Sequence, residues 1–375
     1  MRERSSISPE QAPPASLFPD HPASWYLFGP SAGLARGPWS KELLGKRLVA
    51  FRTESGAVAV LDAHCAHLGA DLGCGEIVGE TIQCPFHHWR YGRDGVCAHA
   101  TGCAAPPAFA RLQTYAAEER HGYLFFFNGP RALFPLPFFL DESPEAFVAG
   151  KAFHYVADCN WYMNAAHAFD MQHFLAVHDR RLVAPPQVDC PLPFARRNRY
   201  RAEVVGGSVY DRILRTFAGD VVEISITVFG GPFVLVTGDF GRVMSRFLIA
   251  TRPLPDGRTL CEGIVFARRG RIPLLDGPGL WLRRLFTHGY LAAESRRLRG
   301  TRYQPRGLGA ADGDLIAFFQ WLVSLQPLTR GGAHADLDRA AAAVTGDRGL
   351  RMGAGTALSS PAAAGVLGTI PGVER

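Results

Sequence analysis

Cys65-Ala-His67-Leu-Gly-Ala-Asp-Leu-Gly73, followed by Cys84-Pro-Phe-His87-His-Trp-Arg-Tyr91, decides the reading of this 375-residue chain. It consists of a CxH pair, sixteen intervening residues and a CxxH pair. Two thiolates and two imidazoles at these spacings suit one metal centre with mixed ligands. All-cysteine sets hold ordinary iron–sulfur clusters, and two cysteines with two histidines also hold structural zinc. A third alternative is metal-free: cysteines buried as small hydrophobes beside unrelated histidines.

A mixed set on two irons, with two Cys on one and two His on the other, is the Rieske [2Fe–2S] pattern. It raises the reduction potential above that of an all-cysteine cluster. HLGADLG (67–73) and CPFHHWRYGRDG (84–95) resemble the two loops of Rieske domains. The resemblance implies that Cys65, His67, Cys84 and His87 bind the cluster, with backbone N–H groups donating to its sulfurs. Glycine and proline fit the tight turns such loops need. Respiratory Rieske proteins carry two further cysteines, paired between the loops. Ala70 and Phe86 stand at those places here, so the likeness is to the lower-potential ferredoxins and oxygenases. Trp89 and Tyr91 match the oxygenase pattern.

The chain is long enough for two domains with full cores. Its net charge of +6 is diffuse. That is weak support for an acidic partner such as a ferredoxin and gives no sign of nucleic-acid binding. Six cysteines lie outside the motif without regular spacing, the first residues contain no apolar signal region, and no apolar run reaches spanning length. A cytoplasmic setting is the expectation.

Residues 1–22 are rich in Pro and Ser and are expected to be disordered. Residues 23–128 read as short strands forming a small all-β domain around the cluster. Residues 129–150, rich in Pro and Phe, read as a linker. Residues 151–330 read as a larger domain of helices and antiparallel strands, in which Pro255-Asp-Gly-Arg258 turns one strand into the next. Helices are expected over 279–299 and 314–326. Residues 331–375 read as an Ala/Gly-rich tail with a weakly helical stretch at 336–344. The fold class is α+β.

Within a long helix expected to follow the strand near His154 stands Asp170-Met-Gln-His173-Phe-Leu-Ala-Val-His178. Two neutral imidazoles and one carboxylate with open positions form the facial triad of non-haem Fe(II) oxygenases. Asp170 and His173 share a helix face, whereas His173 and His178 are about 140° apart. Convergence of the two histidines therefore needs a distortion such as a π-type bulge.

With its two motifs taken together, the chain resembles the catalytic, alpha-type subunit of Rieske non-haem iron oxygenases over residues 24–328, closest to the steroid-acting branch of ketosteroid hydroxylases and cholesterol desaturases. The resemblance implies a helix-grip-like larger domain with a mononuclear Fe(II) held by His173 and His178. It makes Asp170 the catalytic bridge that accepts N–H from two imidazoles, one of them in a neighbouring subunit. The family's third ligand is a carboxylate on a late helix; Asp314 fits its Asp-x5-Gln spacing, which leaves Asp312 as the helix cap. His167 stands where the family usually carries other residues and is read as a hydrogen-bonding or cavity-lining group.

The resemblance also implies O₂-dependent hydroxylation, demethylation or desaturation of a hydrophobic substrate, with a sterol-like skeleton as one candidate. Alternatives are an oxygenase acting on an aromatic or secondary-metabolite ring, or a non-catalytic Rieske electron-transfer protein. No dinucleotide-binding GxGxxG follows a strand, so NAD(P)H acts only indirectly, through a flavin reductase with or without a ferredoxin. A homotrimer closed head to tail is expected by the same likeness. Phe134, Phe138, Phe139, Phe318 and Phe319 line either an apolar cavity or ordinary core. The helix over 279–298 mixes apolar residues with Arg and offers peripheral membrane contact as one reading.

Overall fold

Residues in the second half of the chain alternate in character with the period of two that a half-buried strand demands, and they pair accordingly. The protein is described by a computed structural model over residues 11–325, apart from 209–210, 213–214, 217–218, 242, 271 and 273–275. Strands are numbered in chain order. A nine-stranded sheet has β16 (Ala195–Val204), β17 (Val221–Phe229), β18 (Phe233–Asp239), β19 (Met244–Pro253) and β20 (Thr259–Arg268) as its consecutive antiparallel centre. β12 (Phe147–Ala149) and β13 (Phe153–Ala157) pair with β20, and β14 (Arg180–Leu182) and β15 (Gln187–Leu192) pair with β16. The turn at 255–258 joins β19 to β20 as its Pro and Gly suggest; Gly257 has φ +80°.

Three smaller sheets form the first half. β1 (Trp25–Pro30), β11 (Tyr123–Phe127) and β10 (Ala117–Arg120) make one, and β2 (Trp39–Leu43), β3 (Lys46–Arg52), β4 (Val58–Asp62) and β9 (Thr114–Tyr115) the second. The third is β5 (Glu76–Val78), β6 (Thr81–Gln83), β7 (Arg90–Gly92) and β8 (Cys97–His99). The CxH loop leaves β4, and the CxxH loop joins β6 to β7.

One face of the large sheet packs on the first half. Phe229, Phe233, Leu235, Leu248 and Ile264 share a core with Trp25, Phe125 and Phe127. Residues 129–150 run between the two halves and are part of that core. Leu136, Phe139 and Phe147 are buried in it, Phe134 and Phe138 pack on it, and Trp25 Nε1 donates to Phe134 O at 2.8 Å. The segment thus contributes to the core, and its Phe138 and Phe139 also line a cavity of about 260 Å³ with Thr227, Phe229 and Arg246. Residues 11–22, expected to be disordered, are also docked. Phe18 is buried against Tyr162, Tyr303 and Phe319, and Tyr303 donates its hydroxyl to Pro13 O.

The opposite face of the sheet carries the helices: α1 (Trp161–Ala166), α2 (Met171–Ala176), α3 (Asp276–Arg297) and α4 (Gly313–Ser324). α3 packs on β13 and β20, burying Leu280 and Leu291 while Trp281, Leu282 and Leu285 stay exposed. Phe318 and Phe319 of α4 are fully buried. No described helix is long and apolar enough to cross a membrane. The stretch at 336–344 and the tail lie outside the described residues.

Candidate metal centres

Both loops of the CxH/CxxH motif close with the same backbone pattern. Cys65 N donates to Ala70 O and Gly69 N to Cys65 O; Cys84 N donates to Trp89 O and His88 N to Cys84 O. The fourth residue after each cysteine takes positive φ, Gly69 at 77° and His88 at 60°. For the histidine that is a strained conformation, of the kind that persists where the surroundings over-determine it. The cysteines are buried in the core of their sheets, together with Leu72, Ile82, Trp89 and Tyr91. His67 stacks flat on Trp89, with centroids 4.6 Å apart and planes 3° apart, and its ring lies 4.8 Å from that of His87. The Tyr91 hydroxyl is 3.2 Å from Cys65 Sγ. Burial pushes the Cys84 thiol above its ordinary range. That is the usual state of a buried thiol without its metal. A pair of inner sulfurs beside a pair of outer imidazoles is the donor set a [2Fe–2S] cluster of this type requires.

The second site departs from the expected long helix. The chain breaks at Asp170, which adopts extended φ −87°, ψ 101° and caps α2; its Oδ1 accepts from the backbone N–H of Gln172 and His173. An Asp favours such a cap because its short side chain satisfies otherwise orphaned donors. No π-type bulge is needed. α2 ends at Ala176, and His178 lies beyond it on irregular backbone followed by Asp179 at φ 53°. Arg180 Nη1 donates to His178 O and Arg297 Nη1 to Val177 O, which pins this turn. Helix termination, rather than helix distortion, brings His173 and His178 together, with ring centroids 4.9 Å apart.

The carboxylate they meet is Glu294 of α3. His178 Nε2 lies 3.2 Å from Glu294 Oε2, and His173 Nε2 lies 3.9 Å from Oε1. Ligand atoms of the three side chains all lie within 4.8 Å of one another. Glu294 Oε2 is buried yet makes no hydrogen bond of good geometry, as a ligand atom facing a cation position does. Burial raises the Glu294 carboxyl, but the close approach of His178, with His173 behind it, outweighs burial and holds the group below its ordinary range. Burial, with His178 alongside, lowers His173. Lowered pKa values at His173 and Glu294 favour the deprotonated forms that bind a divalent metal.

Asp314, expected as the third ligand, sits half-buried in the first turn of α4 and is not one of the three clustered side chains. Asp312 stands at the N-cap position of α4, but its carboxylate accepts from Gly309 N and from Gln172 Nε2 of α2. The expected meeting of the Asp170 carboxylate with the His173 ring is also absent. His173 Nδ1 is 2.7 Å from the Asp170 backbone carbonyl, while the carboxylate caps the helix. His167 hydrogen-bonds at Nδ1 with Asn164 O and sets its ring 5.7 Å from His173. Burial, reinforced by His173, lowers its pKa to about 4. Glu294 escapes a reading of the sequence because the family spacing points to the next helix. A local signal exists: past the first turn of α3 it is the one carboxylate among several arginines.

The paired loops belong to a Rieske domain. Residues 24–116 match the Rieske [2Fe-2S] domain family, and the chain shares the architecture of solved Rieske oxygenases. Against Pseudomonas putida CBB5 NdmA with caffeine the TM-score is 0.61 at 19% identity, over 84% of this chain and 93% of that one. Aminopyrrolnitrin oxygenase PrnD of Pseudomonas fluorescens is 42% identical over 123 residues, 31% of this chain and 34% of the relative. A 3-ketosteroid-9-alpha-monooxygenase oxygenase component from Rhodococcus rhodochrous is 39% identical over 114 residues, 30% of each chain. The chain thus spans about a third of the length of these curated relatives.

Proposed function

We propose that the protein is the terminal oxygenase of a Rieske system, with Fe(II) held by His173, His178 and Glu294 and a [2Fe–2S] cluster held by Cys65, His67, Cys84 and His87. The observation that carries this is the buried Glu294 carboxylate converging on two imidazoles behind a Rieske loop pair. Iron bound there would supply reductive activation of O₂, and the cluster would supply one-electron storage. The chain's own residues bring His173, His178 and Glu294 together and shield them from water by burial.

The sheet face beside the site favours a hydrophobic substrate. Asn198 and Tyr200 of β16 face the site, since Asn198 Nδ2 donates to Ala168 O and Tyr200 packs on Phe174 beside His173. Register then puts Ile226, Val236, Phe247 and Val265 in one row across the sheet from Asn198, and Ile224 beside Tyr200. An apolar wall beside an oxygen-activating centre suits C–H oxidation of a sterol-like or aromatic skeleton. The words "oxygenase component" in the name of the ketosteroid relative support a separate NAD(P)H-dependent reductase as electron source. A homotrimer and a cytoplasmic setting belong to the same reading. Trp281, Leu282 and Leu285 on the outer face of α3 leave room for peripheral contact with a lipid surface.

Iron and acid-labile sulfide analysis tests the assignment. About three irons to two sulfides per chain are expected after loading with Fe(II). Glu294→Ala should fall to two irons with the cluster's absorption intact, and Asp314→Ala should stay at three. A wild-type ratio of two to two, or the opposite behaviour of the two variants, overturns it.

A further inference from the structure

His178 has a partner at each ring nitrogen, and both come from α3. Its Nε2 faces Glu294, and its Nδ1 lies 3.0 Å from the hydroxyl of Tyr290, whose ring stacks on the imidazole at 5.5 Å and 24°. Tyr290 and Glu294 are four residues apart and therefore on one face of the helix, a turn from each other. We infer that Tyr290 is a positioning residue for the metal site: its hydroxyl oxygen accepts the Nδ1 proton of His178, fixes that tautomer and turns the Nε2 lone pair toward Glu294 and the metal. This rests on the proposed His173/His178/Glu294 site and adds to it a group that touches no metal.

The chemistry leaves few alternatives for the phenol. An imidazole that gives its Nε2 lone pair to a cation carries its proton on Nδ1, and that proton needs an acceptor. For His173 the acceptor is the Asp170 carbonyl at 2.7 Å, supplied by the cap of its own helix. His178 lies past the end of α2, where no such carbonyl is offered, and the phenol fills the place. A tyrosine phenol is neutral near pH 7, so its oxygen is free to accept the proton. Although 45% of Tyr290 is exposed, its hydroxyl is directed inward at a side chain that is only 8% exposed.

Tyr290→Phe removes the oxygen and keeps the stacked ring, and the cluster's absorption reports that the fold is kept. In the full-length protein with its cluster oxidised, Co(II) titration of the second site should show affinity weakened by about 10- to 100-fold. The proton NMR spectrum of the Co(II)-loaded protein should also change. The wild type should show a hyperfine-shifted exchangeable N–H from each histidine, and the variant should lose that of His178 to solvent exchange while keeping that of His173. An affinity within twofold of wild type, with both resonances retained, overturns the inference. Glu294→Ala run alongside separates the two claims. If it binds Co(II) as tightly as wild type, the metal-site reading fails; if it alone is weakened, only the role of Tyr290 fails.

Discussion

The backbone carbonyl of Asp170 lies 2.7 Å from Nδ1 of His173, while the carboxylate of the same residue caps the helix on which that histidine stands. One residue therefore fixes both where α2 begins and how its first histidine is turned. The two duties separate by substitution. Asp170→Asn keeps a good cap and the carbonyl, so urea unfolding and the iron content of the second site should match wild type. Asp170→Ala loses the cap and should cost about 1 kcal/mol in stability, with lower iron occupancy. Equal iron loss in both variants would show that the carboxylate charge, rather than the cap, holds the site.

The Tyr91 hydroxyl sits 3.2 Å from Cys65 Sγ. A hydrogen bond to a cluster sulfur favours the reduced, more negative state and raises the potential. Tyr91→Phe removes about 1 kcal/mol of that preference, which for one electron is a fall of about 40 mV. Protein-film voltammetry measures it directly, and a potential unchanged in the variant means that the hydroxyl makes no bond to the sulfur of the assembled cluster.

What the sequence makes legible follows chain distance. The CxH and CxxH loops are local, each a turn within six residues, so their form can be read from spacing, and the structure repeats one hydrogen-bond pattern in both. The alternation in β16 to β20 is equally visible, because each strand buries one face. The second site is not local. Apolar spacing from Asp170 to His178 fits a continuous helix; that Asp170 caps a new helix rather than continuing the old one does not follow from that spacing, and the turn after Ala176 is pinned by Arg180 and Arg297 reaching in. Glu294 is delivered by the packing of α3 against β13 and β20, which no residue near Glu294 announces. The docking of residues 11–22 likewise rests on Phe18 finding three aromatic rings far along the chain.

Phe18 is 8% exposed and stacks on Tyr162 of α1 at 4.4 Å, with Phe319 of α4 at 5.6 Å. It therefore ties the leading segment to α1 and α4 on the face that carries His173 and His178. Phe18→Ala should cost about 3 kcal/mol, the loss typical of an aromatic removed from a core. Thermal unfolding followed by circular dichroism checks it; a cost under about 0.5 kcal/mol, the range of ordinary surface substitutions, would show that the segment is not bound in solution.

His167 gives stability a pH dependence with a definite sign. Burial and the nearby His173 lower its folded pKa to about 4, against about 6.5 for an unfolded histidine. Between those values the unfolded chain binds the extra proton, so stability is full above about pH 6.5 and falls as the pH drops toward 4. At most the loss is roughly 3 kcal/mol, since each tenfold weakening of proton binding is worth about 1.4 kcal/mol. His167→Gln keeps a polar side chain in the same space and removes the titration. Urea unfolding of both proteins between pH 4.5 and 7.5, with the second metal site empty, should give a falling curve for wild type. The variant's curve should be flatter by that amount. Parallel curves would mean that His167 is protonated as easily in the folded protein as outside it, and that the pocket beside His173 is open to water.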